Sequence, residues 1–289
     1  MPEQLASTSL SSVAVVLTTG SRPAELKRSL RSLHESGLPD CLVVWNSSDT
    51  PQLDLEAGAW ISAGQNLGIP GGRNYGAANS TSDVIIFLDD DAEVLTPDLW
   101  DRTNKFFTQH PTCAVISFRI VDEDGLSARR HNPRLGHFLV DKPGMVGTFL
   151  GGACAIRRAA FEACGGYDDS FFYSMEEQDL AWRLFNSGYF VHYAPEILIR
   201  HPRTLPSRHS DALEKTWENR VSCAVKSLPC PLVPIYLLAH GVRSLRSGLS
   251  LRLAVKTALK QANNQRESRK PMTWRTVLKL TAIGRPPIF

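Results

Sequence analysis

VIIFLDDDAEV, residues 84–94, runs five apolar residues straight into three consecutive aspartates. An unbroken apolar run of this length reads as a strand buried on both faces, as in sheets covered by helices on either side. The three carboxylates at its end are costly. At ~5 Å and an effective dielectric of ~20, each neighbouring pair repels by roughly 3 kcal/mol. On an extended chain Asp89 and Asp91 share one face and Asp90 takes the other. Two carboxylates so spaced suit Mg²⁺ or Mn²⁺, which complete their shells with phosphate oxygens and water. Solvated or helix-capping acids are the alternative, but Pro97 lies six residues beyond Asp91, so capping does not account for all three.

Upstream, VAVVLTT (13–19) is another β-rich apolar run ending in polar residues, and a helical pattern follows from Pro23 to about Glu35, with Leu26, Leu30 and Leu33 on one face. Cys41–Trp45 reads as a second strand, and 66–80 as a Gly-rich turn leading into a small-residue helix. Thr96 and Pro97 suggest the cap and first turn of a helix reaching Gln109. Strands alternating with helices predict an α/β fold, a doubly wound, mostly parallel sheet. Ligands gather at the carboxyl ends of such strands, where Thr18, Thr19 and the aspartates fall. Further on, 113–121 and 148–157 read as extended segments, 122–141 as a polar loop, and 174–186 as a helix. Beyond Asp211 the chain reads as helical.

Three further clusters could carry chemistry. SMEEQDLAWRL (174–184) places Ser174 and Glu177 at capping-box spacing, yet Glu176, Glu177 and Asp179 crowd one turn. A carboxylate there could equally accept a proton from a hydroxyl. NLGIPGGRNYG (66–76) combines Gly68, Gly71, Gly72 and Gly76, which permit close backbone approach, with Arg73, a fork for phosphate. It has neither the dinucleotide fingerprint nor a Walker A lysine. His201, after the apolar strand EILIR, becomes a sensible nitrogen ligand if a carboxylate-bound metal lies nearby.

The 289-residue chain, 43% hydrophobic and 21% charged, has the composition of a folded protein. From Gly241 onward eleven Lys/Arg face one acid, a net +10 that leaves −7 for the first 240 residues of a chain totalling +3. A basic tail on an acidic body suits an anionic partner. No basic patch is interleaved with aromatics, which argues against nucleic acid. Six cysteines without a CxxC pair read as reduced core thiols, and the polar N-terminus carries no basic signal region, so a cytoplasmic location is expected. The longest uncharged stretch, Ser227 to Val242, has sixteen residues and three prolines, too short and broken to span a bilayer.

Taken in order, the T-T strand end, the N-x-G-x-x-x-G-R-N-x-G turn, F-L-D-D-D, and 147–189 with its Gly-Gly, Arg-Arg, G-G-Y-D and E-E-x-D-L-x-x-R resemble glycosyltransferase family 2, on the GT-A fold. The series spans roughly residues 13–203. The resemblance implies a nucleotide-sugar donor, a divalent cation (Mg²⁺ or Mn²⁺) and transfer with inversion to an acceptor hydroxyl. It assigns Asp89, Asp91 and His201 to metal. Glu177 becomes the general base, with Glu176 and Asp179 beside it in the acidic motif. Thr18, Thr19, Arg22, Trp45, Asn46, Gly72, Arg73, Asn74, Asp89 and Asp90 fall at positions lining the donor. The family commonly carries an aspartate for uracil where this chain has Trp45; indole cannot accept from the imide N–H, so the donor stays open among UDP-, dTDP- and GDP-sugars. The implied organisation is a catalytic domain over 1–210, with a nucleotide-sugar half at about 12–110 and an acceptor half at 111–210, followed by a basic helical extension over 211–289. Residues 227–289 suggest peripheral contact with an anionic membrane, and hence a lipid-linked or envelope glycan acceptor. A small-molecule acceptor is the alternative, followed by a sugar nucleotidyltransferase or an inactive binding protein of the same fold.

Overall fold

The structure, a computed structural model, describes residues 10–20, 22–38, 40–49, 59–136, 139–203 and 212–288. The polar N-terminal segment and the expected boundary at 210/211 lie outside the described residues.

Four parallel strands form one half of a single sheet: β1 (Ser12–Thr18), β2 (Cys41–Trp45), β3 (Ala59–Ser62) and β4 (Val84–Asp89), in the order β3-β2-β1-β4. The other half adds β5 (Glu93–Val94), β6 (Cys113–Val121), β7 (Gly144–Met145), β8 (Ala153–Arg157) and β9 (Phe190–Arg200). The sheet continues β4-β8-β6-β9-β5, with β8 antiparallel to both neighbours, β6 and β9 parallel, and β7 on β9. The helices are α1 (Pro23–Glu35), α2 (Gly68–Ala78), α3 (Leu99–Gln109), α4 (Arg158–Ala163) and α5 (Glu176–Asn186), then α6 (Ala212–Ser227), α7 (Leu232–Arg246), α8 (Leu251–Asn264) and α9 (Trp274–Ala282).

Strand periodicity builds two cores. Val13 and Val15 of β1 join Phe87, Leu180 and Trp182 on one face of the sheet, whereas Ala14 and Val16 join Leu26, Leu30 and Leu33 of α1 on the other. Each such side chain contributes about 1.5–3 kcal/mol on full burial. The first core also takes Cys223, Leu228, Tyr236, Met272, Val277 and Leu280 from the C-terminal segment, so that segment packs on the sheet rather than trailing from it. Glycine decides how closely α2 lies on the sheet. A Cβ on Gly76 would stand 2.9 Å from Val44 Cγ2 and closer still to Val15.

Local expectations shift in three places. The glycines of 66–76 are not a turn before a helix but its first turns. α3 begins at Leu99 rather than Thr96, because the Thr96 hydroxyl accepts from Leu198 N–H at 2.8 Å and ties the segment to β9. α5 begins at Glu176, and no capping box forms: Ser174 and Met175 take left-handed φ of 71° and 74°, and Met175 at the cap position offers no side-chain bond. All six cysteines are free. Among the described residues no helix is long and apolar enough to cross a membrane.

Candidate active site

Strand pairing assembles the acidic cluster. β4 ends at Asp89, and Ala92 N–H closes a turn onto the Asp89 carbonyl at 3.0 Å. The chain then enters β5, where Glu93 pairs with Arg200 of β9. That register sets His201, one residue past Arg200, against Asp91, two residues before Glu93. His201 Nε2 lies 3.2 Å from Asp91 Oδ1 and 3.6 Å from Asp89 Oδ2. Ligand atoms of Asp89, Asp91 and His201 all fall within 4.8 Å of one another. The other ring nitrogen, Nδ1, lies 2.9 Å from the Pro202 carbonyl; with a proton held there, Nε2 could give up its own and offer a lone pair to a cation between the carboxylates. Two carboxylates and one imidazole so oriented fit a hard divalent cation with positions left for phosphate oxygens.

The aspartates coexist because each has a cationic neighbour. Arg22 pairs with Asp90 at 2.5 Å and also with Asp91. The Thr18 hydroxyl donates to Asp90 Oδ2 at 2.6 Å. Against the cost of taking charge out of water, the His201 ring and the Arg73 guanidinium hold the Asp89 carboxyl well below the usual carboxylate range. Burial works against the charged form of His201, but Asp89 outweighs it and raises the imidazole above its ordinary value.

One guanidinium joins this cluster to α5. Arg73 reaches Asp89 at 3.1 Å with Nη2, and Glu177 at 3.5 Å and Glu176 at 3.7 Å with Nη1. Glu177 Oε1 also accepts from Gly151 N–H at 3.2 Å. Its side chain is 24% exposed, so part of the carboxylate remains reachable by a substrate. Glu176 is buried. Desolvation and the charge of Glu177 raise it above the usual carboxylate range, with Arg73 opposing. Gly151 and Gly152 line the seam: a Cβ on Gly151 would stand 2.5 Å from Glu177 Oε1, and one on Gly152 2.5 Å from Asp89 Oδ1.

Several donor-lining assignments find other employment here. Arg73 is almost fully buried and committed to carboxylates, so it organises the site rather than offering a free fork to phosphate. Asn74 exchanges hydrogen bonds with the Tyr167 backbone and donates to Asp169, stapling α2 to the loop after α4. Asn46 is buried, donating to the Gly68 carbonyl and accepting from Leu67 N–H. Gly72 faces Leu17 and Asn46, so its missing Cβ serves helix-on-sheet packing. Trp45 is 6% exposed; its indole N–H donates to the Asp49 carbonyl at 2.7 Å and its ring lies on Gly20, where Cζ3 would be 2.8 Å from a Cβ. Asp179 is fully buried between Arg183 (2.7 Å) and Lys226 (2.9 Å), out of reach of any acceptor. Thr18 is buried against Asp90, whereas Thr19 is exposed at the same strand end.

Two residues beyond the sequence motifs shape the site. Asn219 of α6, buried, donates its amide to the carbonyls of Phe171, Tyr173 and Ser174 at 2.7–2.9 Å. Those carbonyls flank Phe172, Ser174 and Met175, three non-glycine residues at positive φ, a conformation costing of order 1–3 kcal/mol each. Lys226, two turns further along the same face of α6, bridges Asp168 at 2.7 Å and Asp179 at 2.9 Å. Together they fix the entry of α5, and with it Glu176 and Glu177. WENR (217–220) contains the asparagine, but nothing in its local pattern announces a partner 45 residues upstream.

Comparison with known proteins follows the same lines. The model described as Glycosyl transferase family 2 matches residues 14–165. The pre-mycofactocin glycosyltransferase of Mycobacterium tuberculosis (strain ATCC 25618 / H37Rv) is 27% identical over 219 residues, which are 67% of this chain and 44% of that protein. The N-acetylglucosaminyl-diphospho-decaprenol L-rhamnosyltransferase of the same strain is 28% identical over 116 residues, 38% of this chain and 37% of that one. The chain spans less than half the length of these curated relatives. Among solved structures, GalNAc-T7 with UDP, GalNAc and Mn²⁺ superposes with a TM-score of 0.66 at 16% identity, covering 88% of this chain and 55% of that one. The mannosyltransferase PcManGT from Pyrobaculum calidifontis, with GDP-Man and Mn²⁺, gives 0.54 at 16% identity over 97% and 87%. At such identities the likeness is one of fold, and that fold is GT-A.

Proposed function

The chain belongs to glycosyl transferase family 2, and on that premise we propose that it moves a sugar, with inversion, from a nucleoside-diphosphate donor to an acceptor hydroxyl. The reading rests above all on one observation: Arg73 bridges Asp89 of the metal-type cluster and the partly exposed carboxylate of Glu177. Asp89, Asp91 and His201 would hold Mg²⁺ or Mn²⁺, which neutralises the charge developing on the departing nucleoside diphosphate. Glu177 takes the acceptor proton. The freed oxygen bonds to the anomeric carbon from the face opposite the diphosphate, and the electrons of the breaking C–O bond leave with the diphosphate. Gly151 N–H and Arg73 hold the Glu177 carboxylate in place, while burial and the charge of Glu177 raise the neighbouring Glu176 above the usual carboxylate range.

The donor half is placed at about 12–110, the acceptor half at 111–210 and the helical extension at 211–289. Trp45 offers no acceptor for a uracil imide, so dTDP- and GDP-sugars join UDP-sugars as donors to test. The relatives' names point to different acceptors, a decaprenyl-diphosphate-linked sugar and pre-mycofactocin. Apolar side chains exposed on the extension favour the lipid-linked class: Ile235 and Leu238 on α7, Leu251, Val255 and Leu259 on α8, Trp274 and Leu278 on α9. Arg252, Lys256 and Lys260 run beside the α8 apolar row at the same spacing, the pattern of a helix lying on an anionic bilayer. This reading puts the protein at the cytoplasmic face of a membrane. The test is a nucleotide-sugar panel with Mn²⁺. Glu177→Gln keeps donor binding and loses transfer, and Asp91→Asn loses metal-dependent binding. Full transfer in either variant contradicts the mechanism.

A further inference from the structure

α6 and the C-terminal end of α7 line a cleft of about 210 Å³ that shares no residue with the carboxylate cluster; its walls include Leu213, Thr216, Arg220, Arg243, Ser244 and Ser247. At about 30 Å³ of liquid volume per water, that is ample room for a phosphate group. Among the described residues its lining charges are all of one sign. Among the described residues neither Arg220 nor Arg243 has a carboxylate within ion-pair distance. Arg220 is half-buried, its Nε has no hydrogen-bond partner, and its Nη1 lies 3.0 Å from His240 Nδ1. Burial and the charges of Arg220, Arg243 and Arg285 push His240 down to about 4. The ring is therefore neutral and receives the Arg220 hydrogen bond without neutralising its charge. A part-buried guanidinium left without an anion is costly, and burial together with Arg243 already lowers Arg220 from its ordinary value. The guanidinium fork is the side-chain group best matched to phosphate oxygens.

We propose that this cleft binds a phosphate group, with Arg220 and Arg243 as its two cationic clamps and the Ser244 hydroxyl lining its floor. The phosphate is either that of a lipid headgroup or a soluble phosphate. Thr216, on the cleft wall, lies 3.4 Å from Ser174 Oγ, so the site adjoins the left-handed segment that leads into α5. The proposal stands independently of the catalytic reading.

The test uses the full chain without divalent metal, which keeps the carboxylate cluster out of the readout. Inorganic phosphate and glycerol 3-phosphate are titrated calorimetrically in one arm, and phosphatidylcholine vesicles with and without phosphatidic acid in the other. Arg243→Ala, an exposed position that leaves the core intact, is expected to weaken binding at least tenfold in whichever arm binds, and Arg220→Gln to do the same. Arg31→Ala, an exposed arginine on α1, is expected to bind like the parent in both arms. Arg243-dependent binding of the soluble ligands assigns a soluble phosphate; dependence confined to phosphatidic acid vesicles assigns the headgroup. Binding that is absent from both arms, or that Arg31→Ala weakens as much as Arg243→Ala in the arm that binds, overturns the site.

Discussion

Gly152→Ala is a one-methyl perturbation of the metal-type cluster. The new Cβ would stand 2.5 Å from Asp89 Oδ1 and nearer still to Cγ and Oδ2, where ordinary contact begins at 3.4 Å. The carboxylate must therefore retreat by at least about 0.9 Å (3.4 − 2.5). The backbone at Gly152, one residue before β8, cannot yield instead, because its carbonyl accepts from Asp89 N–H at 3.2 Å. The Asp89 side chain, 37% exposed, has solvent to swing into. Metal ligands tolerate displacements of only ~0.2 Å, so Asp89 leaves the coordination set and its 3.1 Å bond to Arg73 opens. Losing one of three protein ligands is expected to weaken Mn²⁺ affinity about 10–100-fold, or about 1.4–2.7 kcal/mol. The fold should survive, with a change in Tm of no more than a few degrees. Calorimetric titration of Mn²⁺ with a nucleoside diphosphate, beside a melting curve, reads both quantities. Parental Mn²⁺ affinity in a well-folded Gly152→Ala chain would refute the placement of Asp89 in the metal set.

Other perturbations separate the parts. Asn219→Ala strands three buried carbonyls beside a strained turn, so a loss of about 2 kcal/mol and 4–8 °C in Tm is expected; donor binding is retained while turnover falls, and an unchanged turnover number would show that α6 does not position α5. His192, tilted at 34° against the Phe106 ring, is lowered to about 4 by burial and by the charges of His110 and Arg134. Its folded value lies below the ordinary 6.5, so the stability it contributes is present above pH 6.5 and is lost as pH falls toward 4. His192→Phe should flatten the decline in Tm over that window, and parallel curves for the two chains would count against the assignment. Leu238→Glu with Leu259→Glu is expected to abolish binding to anionic vesicles at low salt, where each nearby Lys or Arg adds ~1 kcal/mol; a parent chain indifferent to such vesicles removes the membrane reading.

Some of this was legible in the chain and some was not, for physical reasons. Apolar runs and helical spacing gave β1, β2, β4, β6 and α1 because their side chains are buried in the same period as the backbone repeats. The joint placement of Asp89, Asp91 and His201 followed only from the motif order, since it depends on β5 pairing with β9 across more than a hundred residues. What a motif cannot state is burial. Arg73, Asn46 and Asn74 are the residue types that bind phosphates and sugars, yet the two asparagines are hydrogen-bonded within the protein and Arg73 is held against its carboxylates. Nor does spacing report φ: Ser174 and Glu177 have capping-box spacing, but a left-handed Ser174 and Met175 place the helix start elsewhere. Asn219 and Lys226 went unseen because their partners lie 45 residues or more away.

The central claim is that a divalent cation seated on Asp89, Asp91 and His201 receives the donor diphosphate. Crystals grown with Mn²⁺ and UDP, dTDP or GDP, with data collected at the manganese edge, test it directly. The account predicts an anomalous peak within coordination distance of Asp91 and His201, with diphosphate oxygens completing its shell, and no such peak in Asp91→Asn. Strong anomalous density elsewhere in the protein, or a nucleotide bound in the parent chain with no metal at this cluster, would contradict it.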